Sequence, residues 1–497
     1  MAEDTAVPIN PVVEHNLERI KQDLGGSDDL VIREIRFNEQ AEIAAAVVYI
    51  DGLSDTKAIN HYIYDVLNHK LSVVSPSDHM DIESLAKELL VGVGSINVVT
   101  EMMSLLTNLL SGEAIILLRD TNIAYRADIR EWKGREVTES TNQTSVRGPR
   151  ESFTETLRTN TSLIRRKIKD PRLWLETISI GEITKTGVSI MYINGLAKSS
   201  VIDMVRTRLN AIEIDGVLDS GYIEELIEDN KLSLFPTIYN SELPDNVASQ
   251  LLEGKVAILV DGTPNLLLVP SQFVTFFQSP EDYYQRAVYA SLLRLLRFGS
   301  VFISLLLPSL YIAITTFHRD MLPASLLIGL AAQREGVPLP AFVEALVMEV
   351  TFEILREAGL RMPRAIGQAV SVVGTLVIGQ AAVEAGIVSA AMVIVVSVTA
   401  ISTFTLPAYS MSIPIRILRF VFMGLAASFG LFGIIMGVFV LMLHLCSLRS
   451  FGEPYMSPFS PYNKTDLEDT LVRLPRWLMF KRPETSQNNG SIRVRKR

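Results

Sequence analysis

Four long uncharged runs between residues 298 and 448 constrain the fold of this chain more than any other feature of its sequence. They cover residues 298–317, 365–383, 385–415 and 420–448, and a helix needs about 20 apolar residues to cross the hydrocarbon core of a bilayer. Residues 298–448 carry 14 charged side chains among 151 residues, about 9%, against 20% for the whole chain. Soluble domains carry about 25% charged residues. The sequence therefore predicts an all-α polytopic membrane domain at 281–448, with about four spans and a re-entrant or amphipathic segment at 320–360.

Basic residues on both sides of these runs indicate which ends of the membrane domain face the cytoplasm. Three arginines precede the first run, and a basic tail, 449–497, follows the last one. Both ends are therefore predicted to be cytoplasmic, which requires an even number of crossings, and we favour four. This arrangement leaves Arg416 and Arg419 on the outer side. If the acidic helix at 341–359 also crossed, these two arginines would lie inside and the more strongly charged tail outside.

The N-terminal half contains a repeat. The segment Tyr49–Leu53 recurs at Tyr192–Leu196, and residues 109–112 recur at 251–254, so the two pairs share nearly the same offset. Each copy reads as a strand, an Asp-Gly or Asn-Gly turn, a helix and a closing hairpin. This pattern predicts an α/β region made of two duplicated small subdomains. The predicted boundaries are 1–145 for the first subdomain, 146–175 for a basic connecting segment and 176–280 for the second subdomain.

The connecting segment is basic, with a net charge of +5 over residues 147–172. One interpretation is a solvated face or a contact to an acidic subunit surface. The other is docking to anionic lipid head groups, to which each basic residue contributes about 1 kcal/mol. Nucleic acid is disfavoured, because the arginines are not interleaved with aromatic residues. The candidates for a membrane-surface or subunit contact are Arg147, Arg150, Arg165, Arg166 and Lys167.

Motifs for catalysis are absent from the sequence. It has no G-x-x-x-x-G-K-[ST] phosphate loop, no H-E-x-x-H and no G-x-S-x-G. Its single cysteine, Cys446, excludes an internal disulfide and a cysteine-based zinc cluster. The first residues lack the basic and apolar regions of a cleavable export signal. We therefore predict a protein that is not an enzyme, with no cofactor and no metal.

Polar positions inside the membrane domain are informative, because they are costly unless they face water or a partner. The run 365–383 carries a stripe of small or uncharged polar residues at helical spacing. The stripe predicts either close helix packing or, in an assembly of several copies, the wall of a water-filled pore. The pore-lining candidates are Gln368, Ser371, Val372, Thr375, Ile378, Gly379 and Ala382.

Acidic residues near that run are candidates for attracting cations, because charged rings at a pore mouth select ions by sign. The candidates are Glu349, Glu353, Glu357 and Glu384. The alternative is that they form salt bridges. The arginines within reach along the chain are Arg356, Arg361 and Arg364.

Longer motifs identify a family. They are Leu307–His318, Ala332–Pro338, Phe352–Gly359, Ile378–Gly386 and Leu445–Gly452, together with Arg147–Phe153, 160–167 and 278–283 in the N-terminal half. With these motifs the chain resembles the A-subunit family of GerA-type spore germination receptors over essentially its whole length.

The resemblance implies a multi-pass protein of the inner spore membrane. It implies partnership with a permease-like, nutrient-binding B subunit and a lipoprotein C subunit. It also implies a homo-oligomeric ring, proposed to be pentameric, that acts as a nutrient-gated channel and releases monovalent cations at germination. Two alternatives remain open: a non-conducting scaffold that transmits the signal, and a secondary transporter. The latter usually brings an inverted repeat, and the membrane half contains no such repeat in its sequence.

Overall fold

The computed structural model describes residues 7–36, 43–67, 69, 96–130, 147–362 and 379–483. The chain divides into two compact units. The N-terminal unit comprises 1–231, 238–271 and 480–497, and the helical unit comprises 232–237 and 272–479.

The first subdomain of the N-terminal unit is a five-stranded antiparallel sheet in the order β1-β2-β4-β5-β3. Its interior strand β2 is uniformly apolar apart from Tyr49 and is buried along its whole length, because helices cover both faces of the sheet. The strands are β1 (Leu30–Arg36), β2 (Ile43–Ile50), β3 (Ile96–Val99), β4 (Ala114–Leu118) and β5 (Ala124–Ala127), and the helices are α1 (Val13–Asp23), α2 (Thr56–Ala58), which continues as a π-helical turn (Ile59–Tyr64), and α3 (Met102–Leu109).

The second subdomain repeats this arrangement, with the strand order β6-β7-β9-β10-β8. Strands β7 and β9 follow β2 and β4 along the chain at the offset that the two sequence repeats predict. The α/β region of two duplicated subdomains is therefore confirmed. Its elements are α4 (Leu157–Lys167), β6 (Leu173–Ile180), β7 (Thr186–Ile193), α5 (Ser199–Asn210), α6 (Ser220–Ile227), β8 (Tyr239–Ser241), α7 (Pro244–Leu251), β9 (Val256–Val260) and β10 (Leu266–Val269).

The basic segment 146–175 contains regular structure of the second copy. Helix α4 precedes β6 as α1 precedes β1, and both follow their counterparts at nearly the same offset as the other repeated elements. The segment therefore supplies the first helix and the start of the first strand of the second subdomain.

Within the described residues, the helical unit contains two helical segments that are long and apolar enough to cross a membrane, Ala287–Thr316 and Tyr409–Ser447. A third apolar helix, Ala390–Thr403, is shorter. Most of the predicted second span, 365–383, lies outside the described residues, so the count of four stays a prediction. The helices are α8 (Glu281–Tyr284), α9 (Ala287–Thr316), α10 (Ala324–Arg334), α11 (Ala341–Arg361), α12 (Gly379–Glu384), α13 (Ala390–Thr403), α14 (Tyr409–Ser447) and α15 (Lys464–Leu467), with 3-10 turns at Phe273–Phe277, Arg319–Met321 and Arg476–Leu478 and a short hairpin of β11 (Arg449–Ser450) and β12 (Glu453–Pro454).

Helix α14 reverses direction at Gly430. This residue has φ +59°, a left-handed conformation that favours glycine. A Cβ built on Gly433 would come within 2.4 Å of the Leu425 carbonyl oxygen, and one built on Gly437 within 2.8 Å of the Phe422 ring. In a straight helix residues eight or more apart are at least about 12 Å apart. The predicted single span 420–448 is therefore folded into a helical hairpin, and its glycines allow close backbone packing.

Candidate functional site: a buried ionic seam

Helix α11 carries three of its glutamates inward and several large apolar side chains outward. Glu344 and Glu349 are fully buried, whereas Val350 and Ile354 are 43% and 63% exposed. The buried glutamates face neighbouring helices of the same unit. We call the row formed by Glu344, Glu349 and Glu353 and their partners the ionic seam.

The centre of the ionic seam is the ion pair between Glu349 and Arg419 of α14. The guanidinium Nη1 lies 2.5 Å from Glu349 Oε2, and both side chains are almost completely buried. Arg419 also donates from Nε to the Ser304 carbonyl oxygen at 2.8 Å and from Nη2 to Thr403 Oγ1 at 3.0 Å. One arginine therefore joins α14 to α11, α9 and α13, and three of its donor nitrogens have acceptors.

One turn further along α11, Glu353 pairs with Arg416. Arg416 donates from Nε to Glu353 Oε1 at 2.9 Å and from a second nitrogen to Oε2, which is the bidentate geometry that makes such pairs strong. Next to this pair, the Arg356 guanidinium lies 5.3 Å from the centre of the Phe404 ring and 5.5 Å from that of Tyr409. These aromatic faces accommodate a cation without a second carboxylate.

At the other end of the ionic seam, Glu344 caps α13. Its Oε1 accepts hydrogen bonds from the Ser389 backbone N–H at 2.6 Å and from the Ser389 hydroxyl. Its other oxygen, Oε2, lies 3.9 Å from Arg334 Nε. Each of the three inward acids thus faces an arginine, and the ionic seam carries no net negative charge.

The two remaining acidic candidates lie on the surface of the described residues. Glu357 pairs with Arg361 at 2.7 Å, one turn along the same exposed helix face, which is one of the salt bridges predicted as the alternative. Glu384 accepts a hydrogen bond from Gln380 at 2.8 Å. A cation-attracting role for the four acids stays a prediction.

The sequence reasoning missed the partners of the inward acids. Arg419 and Arg416 lie 70 and 63 positions from Glu349 and Glu353 along the chain, so helical spacing gave no indication of the pairs. The available signal was the isolated occurrence of both arginines in a long apolar stretch, where a charged side chain usually has a specific partner.

Most of the pore-lining candidates lie outside the described residues: Gln368, Ser371, Val372, Thr375 and Ile378. Gly379 and Ala382 are described, on α12. Gly379 is buried, and a Cβ built on it would lie 3.6 Å from the Val393 side chain. Ala382 is half-buried. The pore-lining role of Gly379 and Ala382 stays a prediction.

The basic candidates differ in how deeply they are buried. Arg165 is fully buried and forms a bidentate pair with Asp29, in which Nη2 donates to Oδ1 at 2.8 Å. It therefore offers no surface to a membrane or a partner. Lys167 pairs with Glu151 at 3.3 Å, Arg166 is half-buried, and Arg147 and Arg150 are exposed. Surface contact remains a prediction for these four residues.

Sequence comparison assigns the chain to a family. The profile of the Bacillus/Clostridium GerA spore germination protein family matches residues 18–485. The chain therefore belongs to the GerA family of spore germination receptor A subunits, as its motifs predicted. This is a family of receptor subunits and not a known enzyme family.

Individual relatives match over nearly the whole chain. Spore germination protein KA of Bacillus subtilis (strain 168) is 47% identical over 487 residues, which are 98% of this chain and 89% of that protein. Spore germination protein GerLA of Bacillus cereus is 38% identical over 482 residues, or 97% of each chain. The crystal structure of the N-terminal domain of the A subunit of the Bacillus megaterium spore germinant receptor GerK3 is 37% identical, covers 54% of this chain and 98% of that chain, and has a TM-score of 0.43.

Proposed function

We propose that this protein is the A subunit of a spore germination receptor in the inner spore membrane and that several copies form a nutrient-gated channel for monovalent cations. The observation that carries the receptor role is the family match over residues 18–485. In this proposal a permease-like B subunit binds the nutrient and a lipoprotein C subunit completes the complex. The assembly is a ring, with five copies as the starting hypothesis.

The distribution of charge in the helical unit supports membrane insertion. The ion pairs of the ionic seam are buried or half-buried, while large apolar side chains point outward on several helices. In water such a surface would be costly, whereas in lipid it faces a matching solvent and the charges inside are paired. Examples with more than 60% exposure are Ile328, Ile354, Ile394, Ile401, Phe404, Phe429, Phe432 and Ile435.

The channel part of the proposal needs more than one copy. Because the inward acids of the ionic seam are paired with arginines, they do not line a passage for cations within one subunit. We therefore assign the passage to the polar stripe of 365–383, brought together from several subunits around one axis. In this arrangement the ionic seam stabilises each subunit behind the pore helix.

The same pairing favours one alternative, a non-conducting subunit that transmits the signal. If the acids near the stripe only hold helices together, the protein lacks the charged ring that a cation channel uses. A flux measurement separates the two functions.

The test is nutrient-stimulated K⁺ efflux from liposomes that contain the full receptor, with its B and C subunits. The expected result is efflux on addition of nutrient, changed at least ten-fold by Thr375→Trp in the polar stripe. Ile401→Trp is the matched control, because Ile401 is 66% exposed on α13 and lies outside the stripe. Silent liposomes from a receptor that still binds nutrient would exclude the channel and leave the signal-transmitting subunit.

A further inference from the structure

A groove lies at the free end of the second subdomain's edge strand. It has a volume of about 520 Å³ and is bounded by the end of β6 and the turn after it, the end of α5 and the segment 212–215. Strand β6 is at the edge of its sheet, paired on one side with β7. The groove therefore runs along a sheet edge, where an extended peptide can add as a further strand.

Among the described residues, the outer edge of β6 is occupied from its start as far as Thr177. The Leu175 carbonyl oxygen accepts from the Asp28 N–H at 3.2 Å, and the Leu175 N–H donates to Ser27 Oγ at 3.1 Å. Since outward-facing backbone groups alternate along an antiparallel strand, the next residues with this orientation are Thr177 and Ser179. The Thr177 N–H donates to an Asp28 carboxylate oxygen. Among the described residues, the outward N–H and C=O of Ser179 have no hydrogen-bond partner.

The groove combines apolar and acidic side chains. Ile178, Ile212 and Ile214 line it and are half-buried, and Glu182, Glu213 and Asp215 lie among them. No basic residue is among its described lining residues. An occupant that matches this surface is an extended segment with alternating apolar and basic side chains.

The chain has such a segment at its C-terminus. Residues 491–497 read Ser-Ile-Arg-Val-Arg-Lys-Arg, in which Ile492 and Val494 alternate with Arg493 and Arg495. This period of two is typical of a strand with one apolar and one basic face. The segment lies outside the described residues.

The tail starts close enough to reach the groove. The chain returns to the N-terminal unit at Phe480. Burial raises the pKa of the Asp170 carboxyl, but hydrogen bonds and charge from Arg172, with the charge of Arg482, bring it below its ordinary value, so Arg482 lies near Asp170. From there to Ser179 is about 30 Å along the strand at about 3.3 Å per residue. The ten residues from Arg482 to Ile492 reach about 33 Å when extended.

We propose that residues 491–497 bind as an additional strand beside the free end of β6 at Ser179, with Ile492 and Val494 in the groove and the arginines against Glu182, Glu213 and Asp215. The basic tail is then an intramolecular ligand of the second subdomain. It protects an exposed strand edge that would otherwise pair with another chain.

The test is disulfide formation in the full-length protein with its native cysteine replaced, Cys446→Ser. Ser179→Cys is combined with Val494→Cys, and the control combines Ser200→Cys with Val494→Cys. Ser200 is also exposed but lies at the opposite end of α5 from the groove. Under mild oxidation we expect the first pair to form an intramolecular disulfide at least five-fold faster than the control, detected as a reducible monomer band of changed mobility.

Three results would overturn the proposal. Equal rates for both pairs would mean that the tail has no fixed site. Formation of a disulfide-linked dimer alone would mean that the groove binds a second copy. Finally, Arg493→Glu with Arg495→Glu should slow the cross-link several-fold, and Glu182→Arg with Glu213→Arg should restore it. If the charge reversals have no effect in either direction, the proposed recognition is wrong.

Discussion

The N-terminal unit and the helical unit both bury an arginine–carboxylate pair, but in opposite surroundings. Arg165 and Asp29 are buried in an α/β unit whose other charges mostly face water. Arg419 and Glu349 are buried in a helical unit whose outer surface is largely apolar. When the N-terminal unit unfolds, Arg165 and Asp29 separate and are solvated by water. When the helices of a unit in a bilayer separate, Arg419 and Glu349 have no water nearby to solvate them. The same pair is therefore optional for a soluble fold and close to obligatory for a membrane fold.

The largest effect is expected for Arg419→Met. This substitution leaves Glu349 buried without its cation and removes the bonds to Ser304 and Thr403. Breaking a buried pair costs about 3–5 kcal/mol, so we expect at least a ten-fold loss of protein that elutes without aggregation after detergent extraction. The exposed pair Glu357–Arg361 supplies the control, since Arg361→Met should leave the yield unchanged. A normal yield for Arg419→Met would show that the ionic seam does not hold the helices together.

Arg165→Met is expected to have a smaller and local effect. It leaves Asp29 buried and removes the bond to the Leu173 carbonyl oxygen. A loss of about 3 kcal/mol should appear as faster hydrogen exchange in β1 and β6 of the full chain, while the helical unit keeps its exchange rates. Asp29→Leu with Arg165→Met should recover most of the protection, because an apolar pair replaces the ionic one. If hydrogen exchange became faster to the same extent in both units, the effect of the Arg165–Asp29 pair would not be confined to the N-terminal unit, and the prediction would be wrong.

The pH dependence of stability tests the effect of burying the charge of Lys255 in the second subdomain. Burial lowers the pKa of its ammonium group from 10.5 to about 8, so the unfolded chain binds more protons between about pH 8 and 10.5. Stability should therefore rise with pH in that window. Lys255→Met should remove the rise. Thermal unfolding from pH 7 to 10 measures this effect, and a pH-independent parent protein would disprove the assignment.

The first copy supplies a matched control for Lys255. Lys255 directly precedes β9, and the residue that directly precedes β4 in the first copy is Glu113. Glu113 is paired with Arg126 at 3.2 Å. Glu113→Gln should therefore leave the rise in stability above pH 8 unchanged.

The smallest effect is expected at the surface of the second subdomain's sheet. A hydrogen bond from Arg206 lowers the pKa of Glu176 despite partial burial. The pair is about one-third exposed, so Arg206→Ala should cost no more than about 1 kcal/mol. Because the folded carboxyl has the lower pKa, this contribution is present above the unfolded pKa and disappears as the pH falls through the folded one. The difference between the parent protein and Arg206→Ala in denaturation should therefore be largest at pH 7 and become smaller toward pH 3. If Arg206→Ala lost as much stability as Arg165→Met, buried and exposed ion pairs would contribute equally, and the prediction would be wrong.

The sequence predicted those parts of the fold that depend on local pattern. The repeat in the N-terminal half predicted two like subdomains, because turn glycines and alternating strands recur in order. The acidic helix that became α11 was also predicted from the sequence. The direction in which its acids face was not, because it depends on Arg416 and Arg419, which meet α11 only in the folded unit.

The break in α14 was hidden for a related reason. Gly430 is one of four glycines in an uncharged run, and any of them could have served close packing within a straight helix. Only its contacts with Phe317 and His318 and its left-handed backbone distinguish it. Similarly, Arg165 looked like its basic neighbours in the sequence, and only its pairing with Asp29, which is distant along the chain, sets it apart.

The reversal at Gly430 brings the two ends of α14 to the same end of a helical hairpin. The two arms of α14, before and after Gly430, are about 31 Å and 25 Å long at 1.5 Å per residue, and each approaches the thickness of a hydrocarbon layer. As a hairpin, they return the polypeptide to the side from which it entered. If both arms cross a bilayer, Tyr409 and Ser447 share one aqueous compartment, and an impermeant reagent that labels one position from a given side must also label the other from that side.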